Sequence, residues 1–162
     1  MKLTSEPATL KDCIAVALLL REEDRDELVA ARGVDVPLAA LMECMEVSER
    51  TFVLRPIGGR EPNEPVALLG AAADPSCPGR AFVWLLATNA VQRCGVALAK
   101  KVDAMLDYFG NLHYPNGFLA LAWDQNATHL RWLNTMGFAT ADIPAVVRNG
   151  HTFLWYIRPC VK

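Results

Sequence analysis

Charge of either sign is scarce in this 162-residue chain. Its 16 lysines and arginines stand against 18 aspartates and glutamates, a formal net charge of −2, and the pI is near 5.9. No block of like charge exists that could act as a binding tail, so neither nucleic acid nor an anionic membrane is an expected partner. Long apolar runs are lacking as well. The longest near the start, Cys13 to Leu20, falls far short of the roughly 20 residues that a bilayer demands. Lys11-Asp12 precedes it, Arg21-Glu22-Glu23-Asp24 follows, and no small-residue cleavage site appears. It reads as an amphipathic helix, and no secretory leader is expected. Cysteines number 5, spread without a C-x-x-C pair, which argues against a disulfide framework or a zinc site and for reduced thiols in the cytoplasm. His113, His129 and His151 show no ligand spacing, so no metal site is expected.

What is present is ordinary globular material: 52% hydrophobic and 21% charged residues, the composition and size of one domain over residues 1–162. Lys2 to Glu6 reads as a first strand ended by Pro7, and Thr9 caps a helix to about Leu20. Glu23 to Ala31 is a second helical stretch closed by Gly33. Pro37 suits a first helical turn, with a third helix from Leu38 to Val47. Thr51 to Arg55 and Val66 to Ala72 are strands, joined by a turn-rich connection from Pro56 through Gly59 and Pro62 to Pro65. After the Asp74 to Gly79 loop, Ala81 to Thr88 is a continuous apolar run, suited to a strand buried on both faces.

Val91 to Phe109 then shows a helical apolar stripe of Val91, Gly95, Leu98, Val102, Met105, Leu106 and Phe109, with Gly110-Asn111 read as its stop. Gly117 to Trp123 is another buried strand. Asn126 to Met136 is the last helix, terminated by Gly137. Two final strands, about Phe138 to Ala141 and His151 to Ile157, flank Asn149-Gly150, a tight-hairpin pair. The order predicts an α/β (α+β) fold: a central mixed, mostly antiparallel sheet of about seven strands with helices on both faces.

Two stretches can carry chemistry. Gln92-Arg93-Cys94-Gly95-Val96-Ala97 follows a buried strand and opens a long helix. Unpaired N–H groups and the positive dipole end there can hold a phosphate, and Gly95 admits close backbone approach. Taken alone, a Gly at this place is better explained by close helix–strand packing. In the second stretch Asn126 caps a helix whose Leu130, Leu133 and Met136 share a face.

Together the two resemble the GNAT superfamily of N-acetyltransferases. Gln92, Gly95 and Ala97 match its Q/R-x-x-G-x-G/A pattern, and Asn126, Gly137 and Phe138 match N-x-x-A-x-x-x-Y-x-x-x-G-F. Pro7 to Asp12 is similar to the family's first strand-to-helix junction. The resemblance implies acetyl-CoA as co-substrate, with its pyrophosphate on the backbone of Gln92, Arg93, Cys94, Gly95, Val96 and Ala97. It further implies the pantetheine arm along the strand end that includes Leu86 and Thr88, an oxyanion contact from a strand N–H near Leu86, and Asn126 against the cofactor arm. The family often places a Tyr acid where this chain has Leu133, which cannot give a proton. General-acid help is typically worth about 10²–10⁴-fold, so its loss slows transfer without abolishing it. Tyr108, Tyr114 and Tyr156 are the remaining phenols. Ala81 to Thr88 holds no Glu to serve as base, and Glu43 and Glu46 border the expected acceptor site or form a solvated face.

Asn126 to Gly137, Asn149 to Phe153 and Leu20 to Gly33 also look like GNAT-like proteins of tailed phages, including internal virion proteins of short-tailed phages. Two readings follow: an acetyl-CoA-dependent N-acetyltransferase acting on a small-molecule or protein amine, or a catalytically inactive assembly protein on the same fold, with virion proteins as partners and the host cytoplasm or virion as location. The apolar strand His151 to Ile157 could pair with a second copy in a homodimer or lie within the sheet.

Overall fold

Turn chemistry sets where each element begins and ends. The computed structural model describes residues 2–58 and 64–160. Its first half runs β1 (Lys2–Pro7), α1 (Leu10–Leu19), α2 (Glu22–Arg32), α3 (Pro37–Val47), β2 (Arg50–Ile57), β3 (Ala67–Ala73) and β4 (Ala81–Ala87). The second half is α4 (Val91–Leu112), β5 (Phe118–Trp123), α5 (Ala127–Thr135), β6 (Ala139–Thr140), β7 (Val146–Arg148) and β8 (His151–Arg158). The Gly59 and Pro62 portion of the turn-rich connection lies outside the described residues.

At the start of α1 the Thr9 N–H and hydroxyl both donate to Asp12, at 2.8 and 2.7 Å. Arg55 of β2 pairs with the other oxygen of that carboxylate. Burial alone would raise the Asp12 carboxyl; the Thr9 and Arg55 hydrogen bonds outweigh it and hold the group below its ordinary value. Gly33 closes α2 in the left-handed region, its N–H on the Val29 carbonyl at 2.7 Å, and Pro37 occupies the first turn of α3.

The strands form one sheet in the order β1-β2-β3-β4-β5-β8-β6, with β7 also on β8. Among the described residues, every pairing is antiparallel except β4 with β5. Eight strands form where about seven were expected. Asn149 and Gly150 both take positive φ, 49° and 79°, the requirement of a two-residue hairpin turn, and the turn recruits Val146–Arg148 as β7. No alternation of apolar residues signals that segment. β6 and β7 share one edge of β8 and β5 fills the other, so the final strand is committed within its own chain rather than offered to a second copy.

Helices cover both faces. One core lies under α4 and α5, built on Leu69, Leu98, Val102, Leu106, Phe118 and Leu133. The other lies under α1 and α3, on Cys13, Val16, Leu41, Val53 and Leu68. The α4 stripe is as expected apart from Gly95, where an added Cβ would meet nothing within 4 Å. Nor does Gly110 stop α4, which continues to Leu112; Gly110 is where the Cys160 thiol packs, since a Cβ there would lie 2.2 Å from Sγ. A similar close approach occurs at Gly70 of β3. The Trp84 indole lies across it, and a Cβ would meet the ring at 2.2 Å, while the indole N–H donates to Ser48 Oγ at 2.9 Å. No helix among the described residues is long and apolar enough to cross a membrane.

Gly70→Ala is expected to lower stability by about 1–3 kcal/mol through overpacking, read by urea unfolding together with a change in tryptophan fluorescence. Asp12 binds its proton less readily in the folded chain than at its ordinary value of 3.8. It therefore adds stability above that pH, and the contribution is lost as pH falls through the folded value. Asp12→Asn is expected to cost about 1.5–3 kcal/mol at neutral pH and to flatten the acid limb of a urea-midpoint against pH plot.

Candidate functional site

The sheet opens at its one parallel junction. β4 and β5 pair only at Ala81↔Phe118 and Phe82↔Leu119, and beyond those residues the strands diverge. Which backbone groups face the opening follows from hydrogen-bond parity, because alternate residues of an antiparallel strand bond to the same neighbour. Thr88 N–H donates to Val66 of the β3 side at 2.8 Å, and Asp74 N–H to the Arg80 carbonyl at 2.9 Å in the same register. Leu86 and Thr88 therefore turn their backbone toward β3, and Leu85 and Ala87 face the opening. On β5, Asp124 N–H donates to Thr152, so Leu121 and Trp123 face it from the other side. This divergence also explains why Phe82 to Leu86 are only half-buried, where a strand buried on both faces was expected.

Helix α2 closes the wide end of the opening with two carboxylates. Asp24 accepts from Ala87 N–H at 2.7 Å and from the Arg21 guanidinium at 2.7 Å, while Arg21 N–H donates to the Ala87 carbonyl at 3.0 Å. Glu27 accepts from Trp123 N–H at 3.0 Å and from Asn126 Nδ2 at 2.6 Å. It also holds His129 Nδ1, at 2.9 Å to Oε2. Asn126 caps α5 by accepting from His129 N–H at 3.0 Å and donates from Nδ2 to the Glu23 carbonyl at 3.2 Å. Asp24 is buried, and that burial pushes its carboxyl up against the opposing pull of Arg21 and Ala87 N–H. Among the described residues, Leu85 and Leu121 keep backbone groups turned to the opening with neither a strand partner nor a carboxylate cap.

Beside the opening, α4 begins with a kink. Val91, Gln92 and Arg93 donate to Thr88, Asn89 and Ala90 as successive tight turns. Cys94 is non-helical at φ −142°, ψ 19°, so the regular helix starts at Gly95. A helix start carries N–H groups without intrahelical acceptors, and the approach to these is clear: Gly95 faces open space and Val96 is 74% exposed. Gln92 and Arg93 are exposed, with Arg93 paired to Glu64 at 3.0 Å. Cys94 is buried, which pushes its thiol up.

A narrow cavity of about 40 Å³ lies beside the opening, between the sheet and α4 and α5. Val83, Leu85, Ala120, Val102, Leu106 and Leu133 line it, and Arg21 and His129 are the charged or titratable groups on its wall.

The expected site residues divide accordingly. Gln92 to Ala97 gather at the mouth beside the opening. Thr88 is fully buried, its hydroxyl donating to the Pro65 carbonyl at 2.8 Å, and with Leu86 it faces β3; the groups facing the opening are one residue away. Asn126 is at the site, but all its side-chain bonds are committed to α2 and α5. Leu133 lines the cavity as an apolar wall. Glu43 is exposed and paired with Arg32 at 2.6 Å, Glu46 is exposed, and Tyr108 is 61% exposed near the far end of α4. Tyr114 binds Glu49 at 2.7 Å, and burial with that carboxylate pushes its phenol up to about 12. None of these four, nor Tyr156, lines the cavity. Arg21, Asp24, Glu27 and His129 were not anticipated as a site. The available signal was the i, i+3 spacing of Asp24 and Glu27, which puts two carboxylates on one helix face.

No protein-family model and no curated protein matches the chain. Solved structures match in shape. RimL, the ribosomal L7/L12 alpha-N-protein acetyltransferase in complex with coenzyme A, gives a TM-score of 0.70 at 13% identity, over 99% of this chain and 95% of its own. AAC(6')-Ib in complex with ribostamycin and coenzyme A gives 0.69 at 16% identity, over 98% and 94%. MccE, the microcin C7 self-immunity acetyltransferase in complex with acetyl-CoA and AMP, gives 0.70 at 11% identity, over 98% and 92%. At such identities the likeness is one of fold, and the fold is that of the GNAT acetyltransferases.

The α2 closure makes a direct stability prediction. Asp24→Ala strands the Arg21 guanidinium and the Ala87 N–H, and is expected to cost about 3–5 kcal/mol by urea unfolding at neutral pH. A loss below about 1 kcal/mol, the range of exposed pairs, would contradict the buried bridge.

Proposed function

We propose that this chain, built on the GNAT acetyltransferase fold, binds acetyl-CoA across the β4–β5 opening and passes the acetyl group to an amine by direct attack. The observation that carries the reading is the parallel junction that stops after two residue pairs, with a clear helix start beside it. Leu85 and Leu121 present backbone donors and acceptors to the opening, which suit the amides of an extended pantetheine arm. The N–H groups around Gly95, Val96 and Ala97 suit a pyrophosphate, with the exposed Gln92 and Arg93 at the same mouth. The thioester supplies an activated acyl group, and the Leu85 N–H is the strand donor suited to meet developing charge on its oxygen. The acceptor is an amine of a small molecule or of a protein, approached from the α1–α2 side. The same reading puts the protein in the cytoplasm, where acetyl-CoA is made and used.

A second reading is a catalytically silent assembly protein of the phage type on the same fold. Two observations favour it: Leu133 offers no proton, and Asn126 has its side chain committed to α2 and α5. Cofactor binding separates the two readings.

Calorimetry and thermal shift with acetyl-CoA are expected to show binding. The stabilisation should reach about 2.7 kcal/mol when free cofactor is about 100 times Kd. Gly95→Glu fills open space, so the fold is expected to stay intact while its charge at the helix start abolishes binding. Absence of binding at millimolar acetyl-CoA would overturn the proposal.

A further inference from the structure

We propose that the His129 ring is the proton carrier of this site, held in place by Glu27. The inference rests on the acetyl-transfer reading above. Of the groups on the cavity wall, Arg21 stays protonated and cannot exchange a proton at neutral pH. His129 is the one wall residue whose side chain can both take up and return one. Leu133 leaves the helix without an acid, and His129 precedes it by one helical turn, on the same face of α5.

Glu27 fixes which nitrogen works. A carboxylate only accepts, so in the neutral ring Nδ1 carries the hydrogen and donates to Glu27, at 2.9 and 3.1 Å to its two oxygens. Nε2 then holds the lone pair. Glu27 is itself anchored by Trp123 N–H and Asn126 Nδ2, and the Asn126 side chain accepts from the His129 backbone N–H. Strand, cap and ring thus form one connected unit, in which Asn126 orients the His129–Glu27 pair. The charged groups facing the ring are Glu27 and Asp24 of α2 and Arg21 at the α1–α2 junction.

The chemistry balances. The neutral amine nitrogen attacks the thioester carbonyl carbon, an N–C bond forms, the C–S bond breaks and its electron pair leaves on sulfur. The surplus proton on nitrogen passes to Nε2 and from Nε2 to the thiolate. The products are the amide and the coenzyme thiol, and the ring returns to its neutral form. His129 is the catalytic residue in this scheme and Glu27 a positioning residue.

The test follows thiol release from acetyl-CoA, with water, ribostamycin, tyramine and an N-terminal alanyl peptide as acceptors, alongside calorimetry of acetyl-CoA on the same samples. Wild type, His129→Gln and Glu27→Gln are compared. His129→Gln is expected to bind acetyl-CoA within about threefold of wild type and to lose about 10²–10⁴-fold in kcat, with the rising limb of the pH–rate profile gone. Glu27→Gln is expected to lose less, with KM kept and that limb displaced. Wild-type turnover in His129→Gln, loss of binding in step with turnover, or wild type that binds acetyl-CoA yet releases no thiol with any acceptor would each overturn the proposal while leaving the cofactor site standing. Failure of wild type to bind acetyl-CoA would remove both. Should His129→Gln fail to fold by circular dichroism, the wild-type His129 ring resonances decide: a shift on adding coenzyme A is expected, and an unmoved ring would overturn the assignment.

Discussion

Backbone polar groups must find partners, and in the interior of this sheet, away from its β1 and β6 edges, the strand ladder stops short between β4 and β5. Among the described residues all strand pairings but one are antiparallel, and the exception, β4 with β5, stops after two residue pairs. Past that point two strands diverge with their amides facing each other across a gap. Burying such groups unpaired costs as much as losing hydrogen bonds outright. The rest of the site is the set of solutions to that deficit.

At the wide end the deficit is met by carboxylates. Asp24 and Glu27, one turn apart on α2, accept from Ala87 N–H and Trp123 N–H. The Arg21 guanidinium supplies the counter-charge for Asp24, and the His129 ring hydrogen-bonds Glu27 through Nδ1. Burying such pairs is a poor route to stability compared with apolar packing. Their presence beside an apolar cavity fits a site where a local rule is broken and function compensates. Lower in the opening, Leu85 and Leu121 are left for a ligand.

Most elements could be read from the chain because each rests on local chemistry. Thr9, Gly33, Pro37 and Asn149-Gly150 fall at the boundaries they signal, and Leu98, Val102, Met105 and Leu106 form a stripe at helical spacing. The opening could not be read, because pairing between β4 and β5 joins residues as distant in sequence as 81 and 118 and depends on how far two apolar strands stay together. A continuous apolar run looks alike whether its neighbour stays or departs. Parity was hidden for the same reason: Leu86 and Thr88 differ from Leu85 and Ala87 only through the register with β3. The role of α2 was hidden because Asp24 meets Ala87 63 positions away and Glu27 meets Asn126 and His129 99 and 102 positions away. The kink at Cys94 moved the helix start to Gly95, which put that glycine outside the core stripe and into the open mouth.

The central claim is that coenzyme A lies along the backbone of Leu85 and Leu121 with its pyrophosphate at the start of α4. Amide chemical shifts and hydrogen exchange, recorded residue by residue with and without coenzyme A, test it most directly. The account predicts that the amides of Leu85, Leu121, Gly95, Val96 and Ala97 move and gain protection, while those of Leu86 and Thr88, bonded into β3, gain none. Perturbation centred on Leu86 and Thr88, or on a surface away from the opening, would contradict it.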